Sequence, residues 1–586
     1  MSRRIDRRRY GAQPMGDGDT LFRLWAPDAN KIAVVTDDAA YPMQALGDGD
    51  WEATAPLAAG TRYRYEIDNQ RVPDPASCAQ TGDIDGASIV VDPDAYRWRH
   101  DAWRGRSWEE AIVCELHVGL LGGFDGVRAA LPALLDAGYT AIQLMPVAEF
   151  PGARNWGYDG VLPYAPDASY GSVEALKALI DDAHGLGLMV LLDVVYNHFG
   201  PYGNYLATYA EDFFRSDTPT PWGPAIDFRR RQVRRFFIDN ALMWLNDYRF
   251  DGLRLDAVHA IRPRGFLERL ADAIRRGVDP ERRIHLILEN EHNDARLLRD
   301  DYVAQWNDDG HNALHVLLTG ETEGYYADYA GDPTAALQRV LAEGFAFQGQ
   351  RDRRGVRRGQ PSAHLPPTSF VFFMQNHDQV GNRPLGDRLA SLLPLPRWKV
   401  ATALVALCPM IPLFFMGDEW ACDTPFFYFT SHPGELAAQV REGRRREFAH
   451  FAGFSHPAQR ERIPDPNAAA TFDASRPRGS DTALALATRT WFGALLGVRK
   501  QHLIPHLRGT RAVACARLGK SALRAQWQLA DGRLWTLGFN VGADAVACMA
   551  PAGAQLLHVE APEAESRPFD GDLPPNSLAA WIGGAE

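Results

Sequence analysis

Hydrophobic and polar positions fall into three regimes along this chain. Up to about residue 105, short runs such as "LFRLWAP", "IAVVT" and "RYRYEID" alternate apolar with polar residues between Gly, Asp and Pro turns. That pattern predicts a small β-sandwich. From about 111 the runs become continuously apolar: "AIVCELHV", "AIQLMPV", "MVLLDVV", "GLRLDAV", "HLILEN", "VAQWND", "FVFFMQNHD" and "PLFFMGDE". Unbroken runs of this length predict strands buried on both faces. Helical patterns separate them; in "SVEALKALIDDAHGLGL", Val173, Leu176, Leu179, Ile180 and Ala183 share one face. Eight strands with intervening helices predict an α/β fold, a (β/α)8 TIM barrel rather than an open doubly wound sheet. No glycine-rich phosphate loop opens the first βα unit, in keeping with that choice. After about 510 short strands return ("ALRAQWQL", "RLWTLGFNV"), predicting a small C-terminal β-domain. The expected division is 1–105 for the sandwich, 106–510 for the barrel with a loop insertion near 197–231, and 511–586 for the C-terminal β-domain.

The 586 residues, 46% apolar and 23% charged, suit a globular protein of two to four domains. A net charge of −12 argues against nucleic acid or an anionic membrane as partner and fits a neutral substrate. Cys78, Cys114, Cys408, Cys422, Cys515 and Cys548 form no CxxC pair, and no His cluster stands at zinc spacing. They read as reduced thiols of a cytoplasmic protein. The opening "MSRRIDRRRYGAQPMG" has twin arginines with no apolar stretch after them, so no secretory signal is expected. The longest apolar run, Val400 to Met416, is broken by Pro409 and Pro412. It predicts a helix followed by a barrel strand, not a membrane span. The basic "GQRDRRGVRRGQ" at 349–360 reads as a mobile, solvated loop.

Charged residues inside the apolar runs are the chemical signal. In "GLRLDAVHAI", Arg254 and Asp256 stand two apart, on one strand face. The third strand ends in Asp193, Asn197 and His198, the fourth continues to His259, the fifth ends in Glu289, and the seventh in His377 and Asp378. In a barrel of this kind the C-terminal strand ends build the active site. Each residue alone has a structural explanation: an ion pair, a loop cap, a satisfied core histidine. Several carboxylates on one rim repel one another and resist desolvation, which favours a chemical use. Two carboxylates flanking a glycosidic bond suffice for hydrolysis with retention, one attacking the anomeric carbon and one protonating the leaving oxygen. Arg254 beside Asp256 favours a charged, aimed nucleophile. Rings in "NWGYDG" (155–160), "TPWGPAIDF" (220–228) and Trp420 are candidate sugar platforms, against a core-packing role for any one of them.

"DVVYNH" (193–198), "GLRLDAVHA" (252–260), "ILEN" (287–290) and "QNHDQ" (375–379) resemble, in order, the four sequence regions of the α-amylase superfamily. The resemblance implies Asp256 as nucleophile, Glu289 as general acid/base and Asp378 as transition-state stabiliser. It implies a glycosyl subsite lined by Tyr158, Asp193, His198, Arg254 and His377, with Trp222, His259, Gln379 and Arg383 as further substrate-binding residues, and a carbohydrate-binding-like N-terminal sandwich. Longer stretches, among them "NWGYDGVLPYAPDASYG", "NALHVLLTGETEGYYADY" and "FFMGDEWACDTPFFYFTSHPGEL", resemble the maltooligosyltrehalose trehalohydrolase family. That family hydrolyses the α-1,4 bond next to the terminal trehalose of maltooligosyltrehalose, without organic cofactor or required metal. It implies α-glucan substrates and a functional link to a maltooligosyltrehalose synthase. Asn197 matches a position that helps bind calcium in many α-amylases; no metal is expected here. The rival readings are a glycogen branching or debranching enzyme, a maltooligosaccharide hydrolase, or a non-catalytic glycan-binding protein. The chain departs from the family at Tyr202 (a glutamate there), at Gly310 and Asn312 (an aromatic and a histidine), at Glu291 and His292, and in a short loop after Gly119. These departures are expected near the leaving-group subsites.

Overall fold

The computed structural model describes residues 8–15, 18–220, 223–299, 301–562 and 571–584. Eight parallel strands close into a barrel: β1 (Val113–Leu116), β2 (Ala141–Leu144), β3 (Met189–Val194), β4 (Gly252–Leu255), β5 (His285–Leu288), β6 (Ala304–Trp306), β7 (Phe370–Phe372) and β8 (Ile411–Phe415). The ring closes where Val113 of β1 pairs with Leu413 of β8. Seven strands lie within the quoted apolar runs and β8 begins one residue before the eighth, at Ile411; all six residues of β3 are buried, as a strand covered on both faces requires.

The helix Val173–Gly185 shows how its sequence was read out. Ser172 caps it by accepting the Ala175 N–H, and Val173, Leu176, Leu179, Ile180 and Ala183 are all buried. Asp181 on the same helix is buried as well, accepting the backbone N–H groups of Arg99 and His100 and the Tyr96 hydroxyl, each at 3.0 Å. The segment entering the barrel therefore lies over a helix that sequence periodicity alone leaves half polar. The run Val400 to Met416 becomes the helix Leu395–Leu407 and then β8. From Val400 to Leu407 that helix is buried on every side, and the C-terminal sheet lies over it, with the Trp535 indole donating to the Leu407 carbonyl at 2.9 Å. Among the described residues no helix is long and apolar enough to cross a membrane.

The N-terminal sandwich pairs one sheet, Gly11–Pro14, Thr20–Trp25, Asp50–Ala55 and Gln44–Gly47, with a second built on Ala40–Pro42, Ile32–Val35, Arg62–Ile67 and Gln70–Val72. In Arg62–Ile67 the buried residues are Tyr63, Tyr65 and Ile67, the alternation that the sequence displays. The C-terminal unit is a five-stranded antiparallel sheet in the order Arg511–Gly519, Ala522–Gln528, Leu534–Asn540, Ser577–Gly583, Gln555–Glu560. The sandwich bears directly on the barrel rim. Asp83 accepts the Gly152 N–H at 3.1 Å, Asp85 accepts the Tyr205 hydroxyl at 2.7 Å, and Ile84 packs with Val161, Leu162 and Ala165. It thereby braces the loops that follow β2 and β3.

Candidate active site

β4 delivers Arg254 to the floor of the barrel mouth, where its side chain is wholly buried. Nη1 donates to both oxygens of Asp193 on β3, at 2.9 and 2.8 Å, and to Asp256 Oδ1 at 2.7 Å. The guanidinium carbon sits 4.2 Å above the Trp306 ring of β6, and Nη2 lies 3.9 Å from Glu289. The charged pair seen in sequence is thus one edge of a hub that serves three carboxylates. A single buried cation shared in this way lowers the cost of bringing those carboxylates together.

Asp256 immediately follows β4 and is 14% exposed, facing the opening. Asn197 donates to its Oδ2 at 2.8 Å and to its carbonyl at 3.0 Å. Both carboxylate oxygens are held, so their direction is fixed. The next residue, Ala257, has φ of +41°, a left-handed conformation that costs a non-glycine residue about 1–3 kcal/mol. The turn aims the Ala257 N–H at Glu289 Oε2, 2.5 Å away. Glu289 begins the loop after β5. Burial, and then Asp256, Asp308 and Asp378 against the opposing pull of Arg254, raise its proton affinity well above that of an ordinary carboxyl group.

A second network runs across the floor. Glu115 of β1 accepts the His377 backbone N–H at 2.9 Å and binds His377 Nδ1 at 2.7 Å. Burial opposes the imidazolium, but Glu115 and Asp378 outweigh it and bring the His377 pKa up to about 9. His377 Nε2 then meets the Tyr158 hydroxyl at 2.8 Å, which donates to Asp193 Oδ2 at 2.8 Å. A continuous chain of polar contacts joins Glu115, His377, Tyr158, Asp193, Arg254 and Asp256. His198 closes the near wall through its Nε2, 3.0 Å from the Tyr158 carbonyl. Glycine is required at 200 beside it, because a Cβ there would lie 2.0 Å from the Asp159 carbonyl oxygen. Asp378 stands in the first turn of the short helix His377–Gly381, 46% exposed, with Asn382 donating to it at 3.0 Å.

Asp256, Glu289, Asp378, Tyr158, Asp193, His198, Arg254 and His377 therefore gather at one mouth. The other expected residues fare differently. His259 lies at the margin, 3.9 Å from Glu291. Gln379 spends its side-chain oxygen on the Asn376 N–H at 3.1 Å, capping its own helix. Arg383 turns to Glu321 in a two-point pair at 2.6 and 2.8 Å. Trp222 lies outside the described residues. Trp156 stacks on Phe426 with ring centres 5.3 Å apart, and Trp420 lies under Arg489, so both pack the protein and neither offers a platform to sugar. Gly310 is also no subsite residue, since its Cα faces the Phe372 ring and a Cβ would come within 2.9 Å of it.

The basic segment 349–360 is not a free loop. It forms a hairpin, with Arg358 N–H donating to the Gln350 carbonyl at 2.9 Å. The Arg358 guanidinium reaches Asp309 at 2.7 Å, the Tyr329 hydroxyl at 3.1 Å and the Glu291 carbonyl at 2.9 Å. Charge composition hid this because one buried arginine among five tethers the rest. Glu115 was missed too, although it carries the same signal as Asp193: a carboxylate inside an apolar strand. Asp308 and Asp309, following β6 and just before Gly310, carry that signal as well. Among the described residues no group of three or more His, Cys, Asp or Glu could hold a metal ion.

Comparisons with known proteins show the family and the fold. The family model of the α-amylase catalytic domain matches residues 81–219, carbohydrate-binding module 48 (isoamylase N-terminal domain) matches 9–95, and a domain of unknown function, DUF3459, matches 510–580. Malto-oligosyltrehalose trehalohydrolase of Deinococcus radiodurans is 42% identical over 477 residues, covering 80% of this chain and 78% of the relative. The Saccharolobus solfataricus protein of the same name is 40% identical over 461 residues, covering 75% and 80%. The crystal structure of a Salmonella typhimurium protein that carries an alpha amylase name superposes with a TM-score of 0.92 at 40% identity, over 98% of this chain and all of that one. A pullulanase from Anoxybacillus sp. LM18-11, TM-score 0.73 at 16% identity over 98% of this chain and 87% of its own, shares the fold alone.

Proposed function

The chain belongs to the malto-oligosyltrehalose trehalohydrolase family, and on that premise we propose that it releases trehalose and a maltooligosaccharide from maltooligosyltrehalose. The bond cut is the α-1,4 linkage adjacent to the terminal trehalose, and the anomeric configuration is retained. In the first step Asp256 attacks the anomeric carbon while Glu289 transfers its proton to the departing trehalose oxygen. In the second, Glu289, now a carboxylate, takes a proton from water as that water attacks the glycosyl–Asp256 bond. Asp378 stabilises the oxocarbenium-like charge that develops in the transition state of each step. Tyr158, Asp193, His198, Arg254 and His377 hold the glycosyl unit, and the imidazolium of His377 keeps a donor toward Tyr158 through the cycle. An α-glucan donor, a synthase elsewhere that supplies the trehalose-capped substrate, and a cytoplasmic setting belong to the same proposal.

The observation that carries this reading is the contrast between two adjacent carboxyl groups. Asp256 has both oxygens engaged by Arg254 and Asn197, whereas Glu289 has its proton affinity raised by burial. One group is built as an aimed acceptor and the other as an acid. The test is product analysis on maltotriosyltrehalose and, separately, on maltopentaose. Rapid trehalose release with little cleavage of maltopentaose is the expected result. Equal cleavage of both would leave a general maltooligosaccharide hydrolase, and new branch points would point to a transferase.

A further inference from the structure

Two consecutive aspartates follow β6, and the structure uses only one of them. Asp309 is saturated: it takes the backbone N–H groups of Ala346 and Phe347 at 2.8 and 2.9 Å, Asn293 at 3.0 Å, the Tyr329 hydroxyl, and Arg358 at 2.7 Å. Asp308, the first residue of the helix Asp308–Thr319, is half-buried, and no hydrogen bond or ion pair to it is present among the described residues. It nevertheless lies within electrostatic reach of Glu289, Asp378, Arg254 and Arg358. Burial raises its pKa to about 7 against the pull of Arg358 and Arg254, and among the described residues no group donates a hydrogen bond to it.

The position on the ring of strands says what its partner is. The glycosyl floor is assembled from β1, β3, β4 and β7, the elements that deliver Glu115, Asp193, Arg254 and His377. Glu289 stands on the other flank, at β5, and an acid must face the oxygen that leaves. The sugar behind that oxygen therefore sits on the β5–β6 flank, where Asp308 is the next strand-end carboxylate. Arg358 clamps Asp309 and the Glu291 carbonyl behind it, so the backbone bearing Asp308 is fixed while its side chain stays open.

We propose that Asp308 is a binding residue of the leaving-group subsite, accepting hydrogen bonds from hydroxyl groups of the trehalose glucose nearest the scissile bond. This rests on the trehalohydrolase reading above and adds a specificity residue to it. An acceptor carboxylate suits a leaving sugar rich in hydroxyl donors, because hydrogen bonds from those hydroxyls favour its charged form against the burial that raises its pKa.

The experiment compares Asp308→Ala and Asp308→Asn with the parent protein on maltotriosyltrehalose and on 4-nitrophenyl α-maltotrioside, whose leaving group has no hydroxyl donors for Asp308. Trehalose inhibition is measured against the nitrophenyl substrate. For Asp308→Ala the expected results are a loss of about 10–100-fold in kcat/KM on maltotriosyltrehalose, a rise of about 10-fold or more in the trehalose inhibition constant, and a change of about threefold or less on the nitrophenyl substrate. Asp308→Asn keeps one acceptor oxygen and the residue's size, so it should fall between the two and read the result if the alanine variant does not fold. An unchanged trehalose inhibition constant overturns the proposal. Equal losses on both substrates with a displaced pH profile also overturn it, because Asp308 would then act through Glu289. If the parent protein shows neither trehalose inhibition nor preference for the capped substrate, the trehalohydrolase reading itself has failed. Asp308 is then decided by maltose inhibition and by maltopentaose in place of the capped substrate, with the same criteria.

Discussion

The two flanks of the cleft hold their polar groups in opposite ways. On the β1–β3–β4–β7 flank the buried carboxylates and His377 are tied to one another: Glu115 to His377, His377 to Tyr158, Tyr158 to Asp193, and Arg254 to Asp193 and Asp256. On the β5–β6 flank Glu289 receives the Ala257 N–H, and the side chain of Asp308 makes no hydrogen bond among the described residues. Groups tied to one another in this way have little room to relax when charge develops, which suits the glycosyl unit whose transition state must be met without reorganisation. Asp309 on that flank is fully paired, but Glu289 and Asp308 are not, which leaves a carboxyl group free to exchange its proton and acceptors for a departing sugar. Preorganisation and proton traffic are thus separated in space.

The most severe way to break the contrast is to remove its two chemical ends. Asp256→Asn and Glu289→Gln should each lose about 10³-fold or more in trehalose release while circular dichroism and Tm stay near those of the parent protein. Because Glu289 acts when protonated, kcat/KM in the parent should fall as pH rises through its raised pKa. Near-normal turnover in either variant would remove the assignment.

Arg254→Met breaks the saturated flank at its hub. It leaves Asp193 and Asp256 without their shared cation, so a destabilisation of about 3–5 kcal/mol in urea denaturation should accompany loss of activity. Arg254→Lys keeps the charge but not the forked donors or the flat face on Trp306, and should recover stability better than turnover. A smaller effect is expected from Glu115→Gln. In the folded protein the His377 pKa is raised to about 9, so the pairing stabilises fully below about 6.5 and the benefit is lost as pH rises through about 9. Tm measured at pH 6, 7.5 and 9 should show that decline in the parent protein and little of it in Glu115→Gln. Arg358→Met tests the other flank: a loss of about 3–10-fold in kcat/KM and faster proteolytic nicking of 349–360 are expected, with the glycosyl floor untouched. Smallest of all, Tyr202→Glu restores the residue usual in the family. Tyr202 is 38% exposed and its hydroxyl donates to Asp85 at 3.4 Å, so activity should stay within about twofold.

Much of the architecture is written in the chain itself. Short continuous apolar runs bounded by turns suit strands covered on both faces, and eight of them with helices between close most simply into a barrel. A charge inside such a run must be paired or used, which singled out Asp193, Arg254 and Asp256 before any partner was known. The same rule would have found Glu115, had it been applied to "CELHV". What periodicity carries is the face a residue points to, never the residue it meets. Glu115 and His377 are 262 positions apart, and only the closure of the ring between β8 and β1 brings their strands within reach. Tertiary structure likewise decided that Trp156 and Trp420 pack the protein, that Arg383 serves Glu321, and that one of two consecutive aspartates is saturated while the other makes no hydrogen bond among the described residues. Local sequence fixes the conformation of a segment through sterics and burial. The ion pairs and hydrogen bonds of the site depend on distances of about 3 Å between strands far apart in the chain, and those are set by how the barrel packs.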